Sequence, residues 1–102
     1  MFGVVARFDL KDERCAEAFD RLAAETAMGV WEYEPGTLTY ATFRVEGEPL
    51  ARMFYELYRD RGAFDEHESQ PHTKRFMAGR ERYVAATRVE YLVPRPEQES
   101  TR

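Results

Sequence analysis

The sequence predicts an α+β domain of the ferredoxin-like kind, β-α-β-β-α-β, whose open sheet face is covered by a second copy of itself. Three observations lead there. Four segments alternate apolar and polar residues with the period of a strand, and stretches with helical spacing separate them. The third observation is that the strands carry apolar side chains on both faces, more than one layer of helices can cover.

In residues 2–10, Phe2, Val4, Ala6, Phe8 and Leu10 share one face, with Val5, Arg7 and Asp9 on the other. Asp12 then offers an N-cap, and Cys15, Ala18, Phe19, Leu22, Ala23 and Thr26 recur at helical spacing to about residue 28. Glu34-Pro35-Gly36 stops that helix and turns the chain. The β-branched and aromatic segment 37–45 reads as the second strand, Glu46-Gly47-Glu48-Pro49 as a tight connection, and 51–58 as the third strand, so the pair forms a hairpin. Asp60 caps a short helix carrying Phe64 and His67. Pro71 opens another, with His72, Phe76, Gly79 and Tyr83 on one stripe. A last strand covers 87–93, bounded by Pro94. The domain spans 1–94, and the polar tail 95–102 is expected to be disordered.

Both faces of the later strands are apolar. Met53, Tyr55 and Leu57 alternate with Phe54, Glu56 and Tyr58, while Val89, Tyr91 and Val93 alternate with Glu90 and Leu92. Each such side chain contributes roughly 1.5–3 kcal/mol when buried. A symmetric partner lying on the sheet is the economical way to bury them, with Val89 or Tyr91 at the contact.

Composition bounds the function. A chain of 102 residues holds one core, and 43% hydrophobic with 33% charged residues is globular. A net charge of −4 weighs against nucleic acid and acidic membranes, and the cluster Lys74, Arg75, Arg80, Arg82, interrupted by Glu81, reads as a solvated helix face. The single cysteine, Cys15, cannot form an internal disulfide and sits among small apolar residues as a buried thiol. The early Arg7 does not suit a signal peptide, and no apolar run reaches membrane-spanning length, so a reducing cytoplasm is expected.

Both histidines fall in the polar stretch 56–72. Glu56 lies inside the aromatic strand Phe54-Tyr55-Glu56-Leu57-Tyr58, where a carboxylate needs a partner such as Arg7 or Arg44. His67 shares a helix face with Phe64, and His72 opens the stripe with Phe76. The two imidazoles therefore line one pocket, with Glu56, Tyr40 and Tyr58 nearby, or else serve as satisfied core histidines. The spacing His-x-x-x-x-His, broken by Pro71, lacks a third ligand, so no metal is expected. Phosphate-cradling glycine loops are absent, and neither NAD, FAD nor ATP is indicated.

The runs Glu34-Pro35-Gly36-x-x-x-Tyr40, Phe54-Tyr55-Glu56-Leu57-Tyr58-Arg59-Asp60-x-x-Ala63-Phe64-x-x-His67 and Pro71-His72-x-x-Arg75-Phe76 resemble the antibiotic biosynthesis monooxygenase superfamily, nearest to its small quinol monooxygenases. The resemblance covers residues 2–93 in element order. It implies a dimeric α+β barrel with a pocket between sheet and helices in each subunit. It also implies oxidation of phenols and quinols by dioxygen without metal or flavin. Haem-degrading relatives carry an Asn, a Trp and an iron-ligating His where this chain has Ala6, His67 and about Met77, which argues against haem.

The function expected is therefore cofactor-independent monooxygenation of a small electron-rich phenol, quinol or enol. Such a substrate, once deprotonated, can pass an electron to dioxygen itself. His67 or His72 is the expected base and Glu56 its orienting partner. Tyr40, Tyr58, Phe64, Phe76 and Tyr83 would supply the ring-binding wall, and Arg7 would hold the oxyanion. The rival readings are a non-catalytic dimeric binding or stress-associated domain, whose aromatic pocket sequesters a small apolar metabolite, and a proton-transfer isomerase that uses the same base without oxygen.

Overall fold

The computed structural model describes residues 1–96. Within them run β1 (Phe2–Leu10), α1 (Glu13–Tyr33), β2 (Thr37–Val45), β3 (Glu48–Tyr58), α2 (Arg61–Ser69), α3 (Pro71–Arg80) and β4 (Val84–Leu92). The strands form one antiparallel sheet in the order β2-β3-β1-β4, the ferredoxin-like arrangement. The tail expected to be disordered lies, from residue 97 on, outside the described residues.

Local chemistry starts the helices where expected. Asp12 accepts a 2.8 Å hydrogen bond from the Cys15 amide, and Asp60 accepts one of 2.8 Å from the Ala63 amide. Pro71 occupies the first turn of α3, where a missing N–H costs nothing. Cys15 is half-buried rather than buried; its thiol is pushed up chiefly by Asp12, which suits an inert thiol.

Element ends differ from the sequence reading for tertiary reasons. Helix α1 continues past residue 28 to Tyr33, because Val30 extends the buried row Phe19, Ala23, Thr26 and is fully enclosed. The hairpin is tighter than expected. Val45 pairs with Glu48 around Glu46-Gly47, and Gly47 takes φ +80°, a conformation that favours glycine. Strand β4 begins at Val84 because the Lys11 amide donates to the Tyr83 carbonyl and draws the chain onto β1.

Helices cover one face only. Phe2, Val4, Ala6, Phe8 and Leu10 of β1 point to them, beside Arg52, Phe54, Glu56 and Tyr58 of β3. The core is aromatic: the Phe8 ring lies 4.9 Å from Phe54, 5.1 Å from Phe19 and 5.9 Å from Phe76. Arg52, also buried, spends its guanidinium on Asp20 and on the Pro49 and Ala51 carbonyls. On the other face stand Val5, Met53, Tyr55, Leu57 and Leu92, with Arg7, Arg88 and Glu90 among them. Val89 and Tyr91 are not on that face. They pair with Ala6 and Val4, so the alternation turns them to the helix side, where Tyr91 meets Phe2 and Phe64.

Gly29 lets α3 dock on α1. A Cβ there would lie 2.5 Å from Cγ of the His72 ring. Glycine inside a helix costs about 1 kcal/mol against alanine, so Gly29→Ala would stabilise an open helix. Here it is expected to lower the melting temperature and to shift the His72 ring resonances. A variant more stable than the parent, with those resonances unmoved, would contradict this packing.

Candidate functional site

Where α1 ends, the side chain of Glu34 turns inward and meets both histidines. Its Oε1 accepts from the Nδ1–H of His67 at 2.8 Å and from the Thr37 hydroxyl at 2.7 Å; its Oε2 accepts from the Nε2–H of His72. All three side chains are buried, at 5%, 4% and 5% exposure, so water cannot replace these bonds. Burial alone would raise the Glu34 carboxyl, but the hydrogen bonds from His67, Thr37 and His72 outweigh it and hold the group below its ordinary value. Glu34 is thus an anion bound by three donors. Gly36 admits the support behind it, since a Cβ there would lie 2.6 Å from that of Ala63 in α2.

An ionised carboxylate can only accept, so His67 carries its proton on Nδ1 and presents Nε2 on its other side. That atom lies 3.9 Å from Oε1 of Glu56, too far for a hydrogen bond. Glu56 Oε1 accepts from the Tyr58 hydroxyl at 2.5 Å. Burial pushes the Glu56 carboxyl up, against the lowering effect of the Tyr58 bond and His67. Burial and the neighbouring carboxylates push the Tyr40 and Tyr58 hydroxyls far above their usual range, so both rings stay protonated donors.

Of these groups, Tyr40, Glu56 and His67 border a cavity of about 90 Å³ between the sheet and the helices. Its walls include Tyr40, Phe54, Glu56, Phe64, His67 and Phe76, with Val89 and Tyr91 at the exposed β4 side. Of the residues the sequence brings forward, His67, Glu56, Tyr40, Phe64 and Phe76 meet here. Ala6 and Met77 line it as well.

Other expectations are corrected. His72 does not border the cavity, because its ring is turned between Glu34 and the flat surface at Gly29. Tyr58 stands one residue pair further along the sheet, against Phe64 and His67, and acts on Glu56. Arg7 cannot pair with Glu56 or hold an oxyanion in this cavity. It lies opposite Met53 on the other face of the sheet, bound to Asp9 and Glu48, and Arg44 is exposed. Tyr83 falls beyond the end of α3, in the turn before β4, and packs against the core away from the cavity. Arg80, read as part of a solvated basic face, turns out to line the cavity.

Glu34 is the residue that reading the sequence by spacing misses, since a glutamate before Pro-Gly reads as a turn. It supplies the third ligand that the histidine pair lacked: one ligand atom from each of Glu34, His67 and His72 lies within 4.8 Å of the others. The set has the chemistry of a divalent-cation site, yet its atoms are already engaged with one another by hydrogen bonds.

Glu34→Gln is expected to lose about 1–3 kcal/mol, because an amide cannot accept from all three donors. The acid side of the stability curve gives a second readout. A carboxyl held low stabilises the fold above its ordinary value of 4.5, and that stability is lost as pH falls through the folded-state value. Urea melts at successive pH values should show parent and variant converging in acid. A constant gap would mean that Glu34 is not held as an anion.

The model of the antibiotic biosynthesis monooxygenase family matches residues 1–79. A solved structure from Caulobacter crescentus, described as a candidate antibiotic biosynthesis monooxygenase, is 30% identical; the alignment covers 89% of this chain and 86% of that one, with a TM-score of 0.80. A Mycobacterium tuberculosis protein superposes with a TM-score of 0.84 at 24% identity over 96% of this chain and 98% of its own. A Shewanella oneidensis protein gives 0.80 at 26%, over 89% and 87%. No curated protein matches the chain. The matched region holds the Glu34 anchor, both histidines and Glu56, and the chain belongs to the antibiotic biosynthesis monooxygenase family.

Proposed function

We propose that the chain is a cofactor-independent monooxygenase acting on a small electron-rich phenol, quinol or enol. The observation that carries this reading is His67, fixed through Nδ1 by the buried Glu34 anion with Nε2 left toward an apolar cavity. That is the arrangement of a positioned base. The gap of 3.9 Å between Nε2 and Glu56 suits a substrate hydroxyl seated against both. His67 takes its proton, and the aromatic walls exclude water from the resulting electron-rich anion. The anion passes an electron to dioxygen, and the radical pair recombines to a peroxide. Loss of water then leaves a carbonyl at the attacked carbon. One oxygen atom enters the product, the other leaves as water, and the substrate supplies all four electrons. His72 positions Glu34 and does not touch the substrate. The setting we propose is a reducing cytoplasm; among the described residues, no helix is long and apolar enough to cross a membrane.

The working unit we propose is a homodimer. The uncovered sheet face exposes Phe43, Tyr55 and Leu92 beside Met53 and Leu57, a surface suited to a second copy. Tyr55→Asp would bury an unpaired charge in that interface. Light scattering should give twice the chain mass for the parent and a monomer or unfolded chain for the variant; a monomeric parent at micromolar concentration would refute the dimer.

Chelator-treated protein should accelerate oxygen uptake by an anthrone or naphthohydroquinone above an enzyme-free control at every pH. General-base catalysis typically contributes 10²–10⁴-fold, so His67→Gln should lose roughly that factor. The parent's rate should rise with pH, because only neutral imidazole accepts a proton, and the variant's should follow the spontaneous reaction. A requirement for added iron, flavin or haem would overturn the mechanism. Ligand-induced stabilisation without turnover of any phenol or enol would instead favour a binding domain.

A further inference from the structure

Arg80 closes the last turn of α3 at the cavity wall, where its Nε is buried without a hydrogen-bond partner among the described residues. The guanidinium makes one long bond, from Nη1 to the Thr87 hydroxyl at 3.3 Å, and its carbon lies 5.4 Å from the centre of the Phe8 ring. No described carboxylate comes within 4.0 Å of it. Arg52, by contrast, binds both oxygens of Asp20, and Arg7 binds Asp9 and Glu48. A buried donor left unpaired costs free energy, and a planar guanidinium is built to hold a carboxylate with two parallel bonds.

We propose that Arg80 is the anion-binding end of the cavity and that its ligand is a phenolic or enolic acid. The hydroxyl would lie at His67 and Glu56 and the carboxylate at Arg80. This rests on the reading of His67 as the base and names the substrate class. Sheet register sets the span. Glu56 stands opposite Val4 and Thr87 opposite Phe8, four residues along β1, or about 13 Å between those levels. Side chains reach inward from both ends, so an acid of one or two fused rings would fill the apolar middle formed by Ala6, Phe54 and Val89 and extend out through the open β4 side at Val89 and Tyr91. Charge sets the orientation: among the described residues Arg80 is the one arginine or lysine lining the cavity, so a carboxylate seats at its end.

Calorimetry on the chelator-treated full chain, at neutral pH, tests this with two acids and their neutral counterparts. The pairs are 4-hydroxybenzoate with 4-hydroxybenzyl alcohol, and 6-hydroxy-2-naphthoate with 6-hydroxy-2-naphthalenemethanol. At least one acid should bind tenfold or more tightly than its alcohol, and the preference should shrink with salt. Arg80→Met should weaken acid binding by roughly 10–100-fold and leave the alcohol unchanged. Arg80→Lys should keep part of the preference. Arg80→Met should also melt no lower than the parent, since it removes the unpaired buried atom. Equal binding of acid and alcohol, no binding of either acid, or equal losses for both in Arg80→Met would overturn the proposal. Because binding is read rather than turnover, acid preference without oxygen uptake would refute the monooxygenase reading alone. Turnover of neutral quinols without acid preference would refute the Arg80 assignment alone.

Discussion

One buried carboxylate, Glu34, ties the helices to the sheet and sets the chemistry of the site. Three donors from three other elements converge on it: Thr37 from the start of β2, His67 from α2 and His72 from α3. A negative charge at that depth is tolerable only if all three bonds form, and each donor would itself be costly if Glu34 were absent. Helix α1, the turn into β2, and helices α2 and α3 are therefore held in one arrangement. Gly29 and Gly36 make the approach possible by removing the side chains that would stand in its way.

The same anchor decides which histidine can act. Both imidazoles reach Glu34, but by different nitrogens and from different sides. His67 has a second nitrogen turned toward the cavity, whereas His72 is pressed against α1. Glu56, with its carboxyl raised by burial and steadied by Tyr58, faces His67 without bonding it. Two carboxylates thus flank one imidazole in opposite conditions. Glu34 is saturated with donors and low, while Glu56 is poorly supplied and high. Separation of titratable groups by their surroundings is how a site assigns acid and base roles.

The cavity exists because the helices cover the sheet unevenly. They pack closely over β1 and β3, where the rings of Phe8, Phe19, Phe54 and Phe76 interlock, and leave the helix-facing side of β4 open at Val89 and Tyr91. A site placed there is walled by core aromatics yet reachable from one edge. The opposite face keeps its apolar side chains interleaved with Arg7, Arg88 and Glu90, each held by a neighbouring charge.

Much of this was legible in the sequence. Period-two alternation marks each strand, Asp12, Asp60 and Pro71 mark helix starts, and Glu34-Pro35-Gly36 marks the helix stop, because these signals act within a few residues. His67, Glu56, Tyr40, Phe64 and Phe76 also emerge as site candidates from the aromatic and polar residues around the third strand and the helices after it. The rest was decided by tertiary structure. Alternation says that Arg7 and Glu56 lie on some face, but only strand pairing places them on opposite ones. Spacing makes Val89 and Tyr91 equivalent to any outward residues until register turns them to the cavity. Arg80 looks like one of several surface cations until the end of α3 lays it over Phe8. Glu34 looks like part of a turn because its partners, His67 and His72, lie 33 and 38 residues away. Local sequence fixes what a residue can do over one or two turns of chain, and only the packing of distant segments determines which buried charge it meets.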